Sequence, residues 1–115
     1  MDSRQKIVDE DEARRIAAAG AAVVSGYFDP LLASHAERLA ALKRDGRRLL
    51  VLIATPEDPI MPARARAELV AGLAVVDHVA AAVDGLDPFV RLEPEDHLRL
   101  KELIRHVHAR QQAAS

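Results

Sequence analysis

The sequence predicts an α/β domain with a parallel sheet of three to five strands and helices on both faces. Three observations predict it. Short apolar runs alternate along the chain with segments whose apolar residues recur at helical spacing. Gly, Asp or Pro residues separate most of these segments. The clearest run, at 49–54, is apolar throughout, which is typical of a strand buried on both faces.

Each element has a local signal. The acidic run at 9–12 suits the first turn of a helix, and Gly20 suits the residue after its end. Ser34 followed by Glu37 matches the capping-box pattern and predicts where the second helix starts, while Pro62 suits the first turn of the third. The predicted elements are helices at 9–19, from 34 to the turn at 45–46, at 63–73 and from 94 onward, and strands at 21–25, 49–54, 77–83 and 89–92.

Helical spacing also predicts which side chains face the sheet. In the second helix these are His35, Leu39 and Leu42. In the third helix they are Ala65, Leu69 and Leu73.

Length and composition limit the classes of protein. The chain has 115 residues, which fits one domain, with fraying expected at 1–5 and 111–115. A net charge of −2 argues against a nucleic-acid-coating surface, and the absence of cysteine excludes disulfides and thiolate metal sites. The apolar runs are shorter than the about 20 residues that span a bilayer. We therefore expect a cytoplasmic protein without nucleic-acid or membrane partners, and a domain this small favours a homodimer.

The stretch at 26–35 carries a resemblance. It reads Gly-Tyr-Phe-Asp-Pro-Leu-Leu-Ala-Ser-His and follows the first predicted strand. It resembles the G-x-F-D-x-x-H-x-G-H signature of the cytidylyltransferase-like nucleotidyltransferases, in particular the glycerol-phosphate cytidylyltransferases and heptose-phosphate adenylyltransferases. The similarity extends over about 6–83 and implies a small Rossmann-like domain of the HUP type. Gly26, Phe28, Asp29 and His35 match the signature, with Leu32 in place of its first histidine.

The resemblance implies a nucleotide site at the corner between the first strand and the second helix. The residues that would bind the nucleotide are Gly26, Tyr27, Phe28, Asp29, Ser34 and His35. The residues that would act in catalysis are His35 and Arg66, with Mg²⁺ accompanying CTP or ATP. The family reaction is attack of a phosphate oxygen on the α-phosphate of a nucleoside triphosphate, which the protein assists by positioning and charge stabilisation.

Several of these residues have a second interpretation that the sequence leaves open. His35 could contact a phosphate or could be a helix-start histidine without a ligand. Asp29 could bind magnesium or fix the turn before proline. Arg66 could reach a phosphate or form an ion pair between helices. Ser34 stands where the family has glycine, and capping the helix is an alternative use of its hydroxyl.

The departures from the signature predict that transferase activity is weak or lost. Leucine at position 32 cannot donate a hydrogen bond, and losing one such donor typically costs about 10²–10³-fold in rate. No lysine follows the second strand, where the family has one. The function predicted first is binding of a nucleotide or small phosphorylated ligand. The alternatives are a non-catalytic scaffold or regulatory module that acts through homodimerisation, and a transferase completed by a partner chain. No metal site is predicted.

Overall fold

The computed structural model describes residues 2–43 and 46–94. A short 3₁₀ helix, Ser3–Lys6, precedes the first α-helix and contacts the third α-helix. The helices are α1 (Glu10–Ala18), α2 (Ala33–Leu42) and α3 (Ala63–Ala71), and the strands are β1 (Ala22–Gly26), β2 (Leu49–Ile53), β3 (His78–Ala81) and β4 (Val90–Arg91).

The four strands form one parallel sheet in the order β3-β2-β1-β4. The chain first builds outward from β1 to β2 and β3, and then crosses back to place β4 on the other side of β1. The strand order therefore reverses between β1 and β4. Open parallel sheets bind ligands outside the carboxyl ends of their strands, next to such a reversal. The predicted α/β fold is confirmed and is compatible with a small Rossmann-like domain.

Alternating side chains of the strands build two apolar layers, one on each face of the sheet. Leu39 of α2 and Val70 of α3 pack on the face that carries Val24, Val51 and Val79. The opposite face is covered by Ala13 and Ile16 of α1 and carries Val23, Leu50, Leu52 and Ala80. Helices thus lie on both faces, as the alternating pattern predicts.

The buried face of α3 differs from the prediction. Leu69 is 46% exposed, so its predicted inward orientation is wrong, whereas Ala65 is half-buried and Leu73 packs partly buried against the core. The buried residues of α3 are Arg66, Ala67, Val70 and Ala71. The helix is therefore rotated so that an arginine points into the protein.

One prediction for the carboxyl end falls outside the part of the chain that the structure describes. The helix predicted from 94 onward lies almost entirely beyond Pro94, as do His97, His106 and His108. Within 2–43 and 46–94, no helix combines the length and the apolar character needed to cross a bilayer.

An ion pair joins the end of α2 to the start of β3. Lys43 Nζ donates to the Asp77 carboxylate, which also accepts the backbone N–H of Leu49 at 2.7 Å. Partial burial opposes ionisation of Asp77, but the hydrogen bonds from Lys43 and from the Leu49 N–H outweigh it and lower the pKa of this carboxyl below its ordinary value of 3.8. The contact therefore fastens α2, β2 and β3 together as long as Asp77 is ionised.

We expect this carboxylate to contribute to the acid sensitivity of the fold. Because its pKa is lower in the folded than in the unfolded state, its contribution is complete above the unfolded pKa and is lost as the pH falls through the folded one. The difference in free energy of unfolding between the wild type and Asp77→Asn should be constant above about pH 5 and shrink below about pH 4. Chemical denaturation at a series of pH values measures it.

Asp58→Asn is the matched control, since Asp58 is an exposed loop carboxylate for which the structure describes no hydrogen bond or ion pair. Because Asp58→Asn removes no described hydrogen bond or ion pair, it shows the effect of replacing a surface carboxylate alone. A wild-type advantage over Asp77→Asn that persists undiminished to pH 3 would contradict the assignment.

Candidate functional site

The candidate site lies at the carboxyl end of β1, where the backbone turns sharply toward α2. Phe28 has a φ of +49° and is fully buried, so its ring folds back over the end of the strand. A Cβ added to Gly26 would lie 2.7 Å from two carbons of that ring. Because glycine at 26 has no side chain, the Phe28 ring can pack directly against the end of β1. This contact is the physical reason for the Gly-x-Phe spacing.

Asp29 joins two loops at this edge of the sheet. Its carboxylate oxygens accept the backbone N–H groups of Ile60 and Met61 at 2.7 and 2.8 Å. Ile60 and Met61 belong to the loop between β2 and α3. Of the two interpretations left open by the sequence, the contacts described here fit the structural one, in which Asp29 fixes the loop conformation.

Arg66 lies beneath the corner and is 1% exposed. Its Nη1 donates to the carbonyls of Tyr27 and Ala54 at 3.1 and 2.7 Å, and its Nε donates to the carbonyl of Met61 at 3.1 Å. Nη2 makes a longer contact of 3.4 Å to Thr55 Oγ1. Tyr27 and Ala54 directly follow β1 and β2, so the guanidinium collects the carbonyl groups of two adjacent strand ends.

These partners of Arg66 are neutral. No carboxylate of the described residues lies within ion-pair distance of its guanidinium, so neither the phosphate contact nor the ion pair between helices is what holds this side chain in the structure. A buried cation that is satisfied only by dipoles gives its surroundings a positive potential. Arg64, two residues earlier on α3, is instead exposed and pairs with Glu68.

The start of α2 corrects the predicted capping box. The N-cap residue is Leu32 rather than Ser34, and Leu32 has no side-chain acceptor. His35, the third residue of the helix, performs the reciprocal half of the motif, since its Nδ1 accepts the N–H of Leu32 at 2.9 Å. Glu37 is exposed and lies two residues too far along the helix for this role.

His35 faces the protein rather than bulk water. It is 6% exposed, and its ring meets that of Phe28 edge to face with centroids 5.2 Å apart. The predicted inward orientation of His35 and Leu39 is thus confirmed. Ser34 is half-buried, and Leu32 is 46% exposed at the mouth of the corner.

The first turn of α2 offers backbone donors at the same edge. The hydrogen bonds described for this turn give the N–H groups of Ala33 and Ser34 no acceptor, whereas those of His35 and Ala36 bond to the carbonyl of Leu32. A helix amino end with unpaired N–H groups attracts anions. The residues named by sequence, 26–29, 34, 35 and 66, are therefore brought together, although Arg66 and Asp29 make internal contacts.

Two features of this edge were not anticipated from the sequence. Ile60 and Met61 contribute to this edge through their backbone N–H groups, and the pattern of side chains in a sequence does not predict such contacts. Ser25 Oγ, one residue before Gly26, is buried and has no hydrogen-bond partner among the described residues. The described residues include no group of three or more His, Cys, Asp or Glu side chains placed to hold a metal ion.

Fold and corner together define the chain as a small α/β domain with a Rossmann-like parallel sheet and a helix amino end at the carboxyl edge. Comparison with protein-family models gives no match, and comparison with curated proteins gives no relative.

Proposed function

We propose that the chain binds the phosphate of a nucleotide or of another small phosphorylated ligand where β1 leads into α2, without transferring a nucleotidyl group. The observation that carries the proposal is the buried charge of Arg66, whose described partners are neutral and include the carbonyl of Tyr27 in the turn that leads from β1 toward α2. A phosphate above the Ala33 and Ser34 N–H groups would be stabilised both by this charge and by the helix dipole.

The internal contacts support binding without transfer. The Nε and Nη1 donors of Arg66 are used by backbone carbonyls, so they are not aimed at a leaving pyrophosphate. Leu32 stands where the nucleotidyltransferase signature has a histidine, and its side chain offers no donor. Stabilising the charge that spreads in the transition state requires such donors around the reacting phosphate.

The ligand chemistry belongs to the same proposal. CTP or ATP would arrive with Mg²⁺, which its phosphates hold, and Gly26, Tyr27, Phe28 and Asp29 would shape the loop under it. A cytoplasmic location fits a nucleotide ligand and a chain without cysteine.

The test removes one backbone donor from the proposed site. Ala33→Pro deletes the N–H of the first residue of α2, where proline is well tolerated, and Leu32 already has the extended ψ of 160° that precedes proline. We expect wild type at ten times Kd of CTP or ATP with Mg²⁺ to gain about 1.4 kcal/mol. Ala33→Pro should bind roughly tenfold or more weakly, because a charge-assisted hydrogen bond is lost.

Ala63→Pro makes the same change at the first position of α3, where no ligand is proposed, and Pro62 has a compatible ψ of 148°. It should bind like the wild type. The readouts are ligand-dependent thermal shift and calorimetry, with release of pyrophosphate measured in parallel. Absence of any shift with millimolar CTP, ATP or inorganic phosphate would refute the proposal, as would equal weakening by both proline variants.

A second candidate is a non-catalytic scaffold that acts through homodimerisation. The observation that favours it is the set of large apolar side chains left at the surface: Leu32, Ile60, Leu69 and Phe89, of which Ile60 is 77% and Phe89 is 81% exposed. Large exposed apolar groups mark interaction sites when they lie together with a matching surface.

A further inference from the structure

Thr55 lies at the carboxyl edge of the sheet, two residues after the end of β2. Its hydroxyl is the one side-chain group among the described hydrogen-bond partners of Arg66, and the others are the backbone carbonyls of Tyr27, Ala54 and Met61. Thr55 is exposed, whereas the three residues that supply carbonyls are half-buried. The contact with Thr55 is therefore the one that joins the buried guanidinium to a solvent-exposed residue.

This contact determines how the Thr55 hydroxyl can be used. Nη2 of Arg66 donates to Thr55 Oγ1 at 3.4 Å. Because a guanidinium has donors and no acceptor, the proton of the hydroxyl has to point away from it. Among the described residues no acceptor is paired with that proton. A hydroxyl that accepts from a cation is polarised and becomes a stronger donor, which suits an anionic partner.

The loop that carries Thr55 is fastened at both ends. Arg66 binds the carbonyls of Ala54 and Met61, and Asp29 accepts the Met61 N–H at 2.8 Å. Prolines within the loop restrict its backbone further. The hydroxyl is therefore held in place before a ligand binds, which reduces the entropy lost on binding.

The topology of the sheet brings this hydroxyl close to the proposed phosphate position. β1 and β2 are adjacent, with Gly26 opposite Ile53 at their carboxyl ends. Adjacent strands lie about 4.8 Å apart, and ligands of open parallel sheets bind outside these ends. A phosphate bound where β1 leads into α2 is thus within reach of a hydroxyl that follows β2.

We propose that Thr55 is a phosphate-binding residue of this site. Its hydroxyl donates to a phosphate oxygen of the ligand while it accepts from Nη2 of Arg66. The inference rests on the proposed function and adds a side-chain donor to the backbone donors of α2. The charge of Arg66 then acts on the phosphate through Thr55, while the guanidinium keeps its contacts with the backbone carbonyls.

Two variants at one position test the role of the hydroxyl. Thr55→Val keeps the branched shape and removes the hydroxyl, whereas Thr55→Ser keeps the hydroxyl. In calorimetry, Thr55→Val should bind inorganic phosphate, and CTP or ATP with Mg²⁺, about 10–100-fold more weakly than the wild type, because a hydrogen bond to a charged group is lost. Thr55→Ser should bind within a few-fold of the wild type. All three proteins should have the same circular dichroism spectrum and unfold cooperatively in urea.

The outcomes separate this inference from the proposed function. A wild type that binds none of the three probes removes the phosphate site and the role of Thr55 with it. If Ala33→Pro weakens binding and Thr55→Val does not, the site stands and the assignment of Thr55 is wrong. A loss for nucleotides but not for inorganic phosphate also overturns it, since the contact would then lie on another part of the ligand. So does a loss of equal size in Thr55→Ser, which retains the hydroxyl.

Discussion

Arg66→Leu should lower the free energy of unfolding by about 3–5 kcal/mol, which is a large part of the stability of a domain of this size. The change leaves the carbonyl groups of Tyr27, Ala54 and Met61 without their buried donor. Each buried acceptor left unpaired costs about 1–3 kcal/mol, partly relieved where the structure relaxes or water enters. Urea unfolding followed by circular dichroism measures the loss.

Two other variants separate the geometry of Arg66 from its charge and from the helix that carries it. Arg64→Leu, on the same helix, removes an exposed pair with Glu68 and should cost no more than about 1 kcal/mol. Arg66→Lys keeps the charge, but an ammonium group cannot reproduce the planar set of donors that reaches three carbonyl groups. Its loss of unfolding free energy should therefore lie between those of Arg64→Leu and Arg66→Leu. Equal losses for Arg64→Leu and Arg66→Leu would show that the buried contacts contribute nothing.

The burial of Arg66 shows where prediction from the sequence ends. The strands could be predicted because runs such as 49–54 are apolar without interruption, and the order of elements then fixed a parallel sheet. The buried face of α3 could not be predicted in the same way, because alanines occur on several sides of this helix and leave its apolar stripe poorly defined. Two of the carbonyl groups that accept hydrogen bonds from Arg66 lie 12 and 39 residues before it in the sequence, each directly after a strand. Nothing local indicates that an arginine will meet them.

The start of α2 gives the same lesson at shorter range. Ser34 and Glu37 have the spacing of a capping box, yet the helix begins one residue earlier and His35 supplies the capping contact. The ring of His35 reaches the Leu32 N–H while packed edge to face on Phe28. A local pattern was therefore replaced by one that depends on the buried position of Phe28, which the sequence did not reveal.

The structure brings the predicted candidate-site residues to one corner of the sheet, and their ligand-binding roles stay predictions. The resemblance brought residues 26–35 and Arg66 together, and the structure places them at one corner. It also shows that Asp29 and Arg66 bind backbone groups there. Side chains that hold such a corner in shape and side chains that contact a ligand have the same sequence signature, so contacts with the backbone are needed to distinguish them.

Gly26→Ala should destabilise the fold by about 1–3 kcal/mol, and Phe28→Ala by about 3–5 kcal/mol. The added Cβ at 26 would lie 2.7 Å from the Phe28 ring, so the ring or the strand end has to move. The ring is fully buried, and its removal leaves a cavity beneath His35. The free energies of unfolding of both single variants and of the double variant, from urea denaturation, form a double-mutant cycle.

The contact between Gly26 and the Phe28 ring determines the sign of the coupling free energy in this cycle. In the Phe28→Ala background the clash is absent and the added methyl enters vacated space, so the double variant should be no less stable than Phe28→Ala alone. The coupling should therefore equal most of the cost of Gly26→Ala. Additive losses would mean that Gly26 is required for the backbone and not for the ring. Since β1 leads through this ring to the first turn of α2, the same coupling should appear in the affinity for CTP: Gly26→Ala should weaken binding in the wild type and leave it unchanged once Phe28 is alanine.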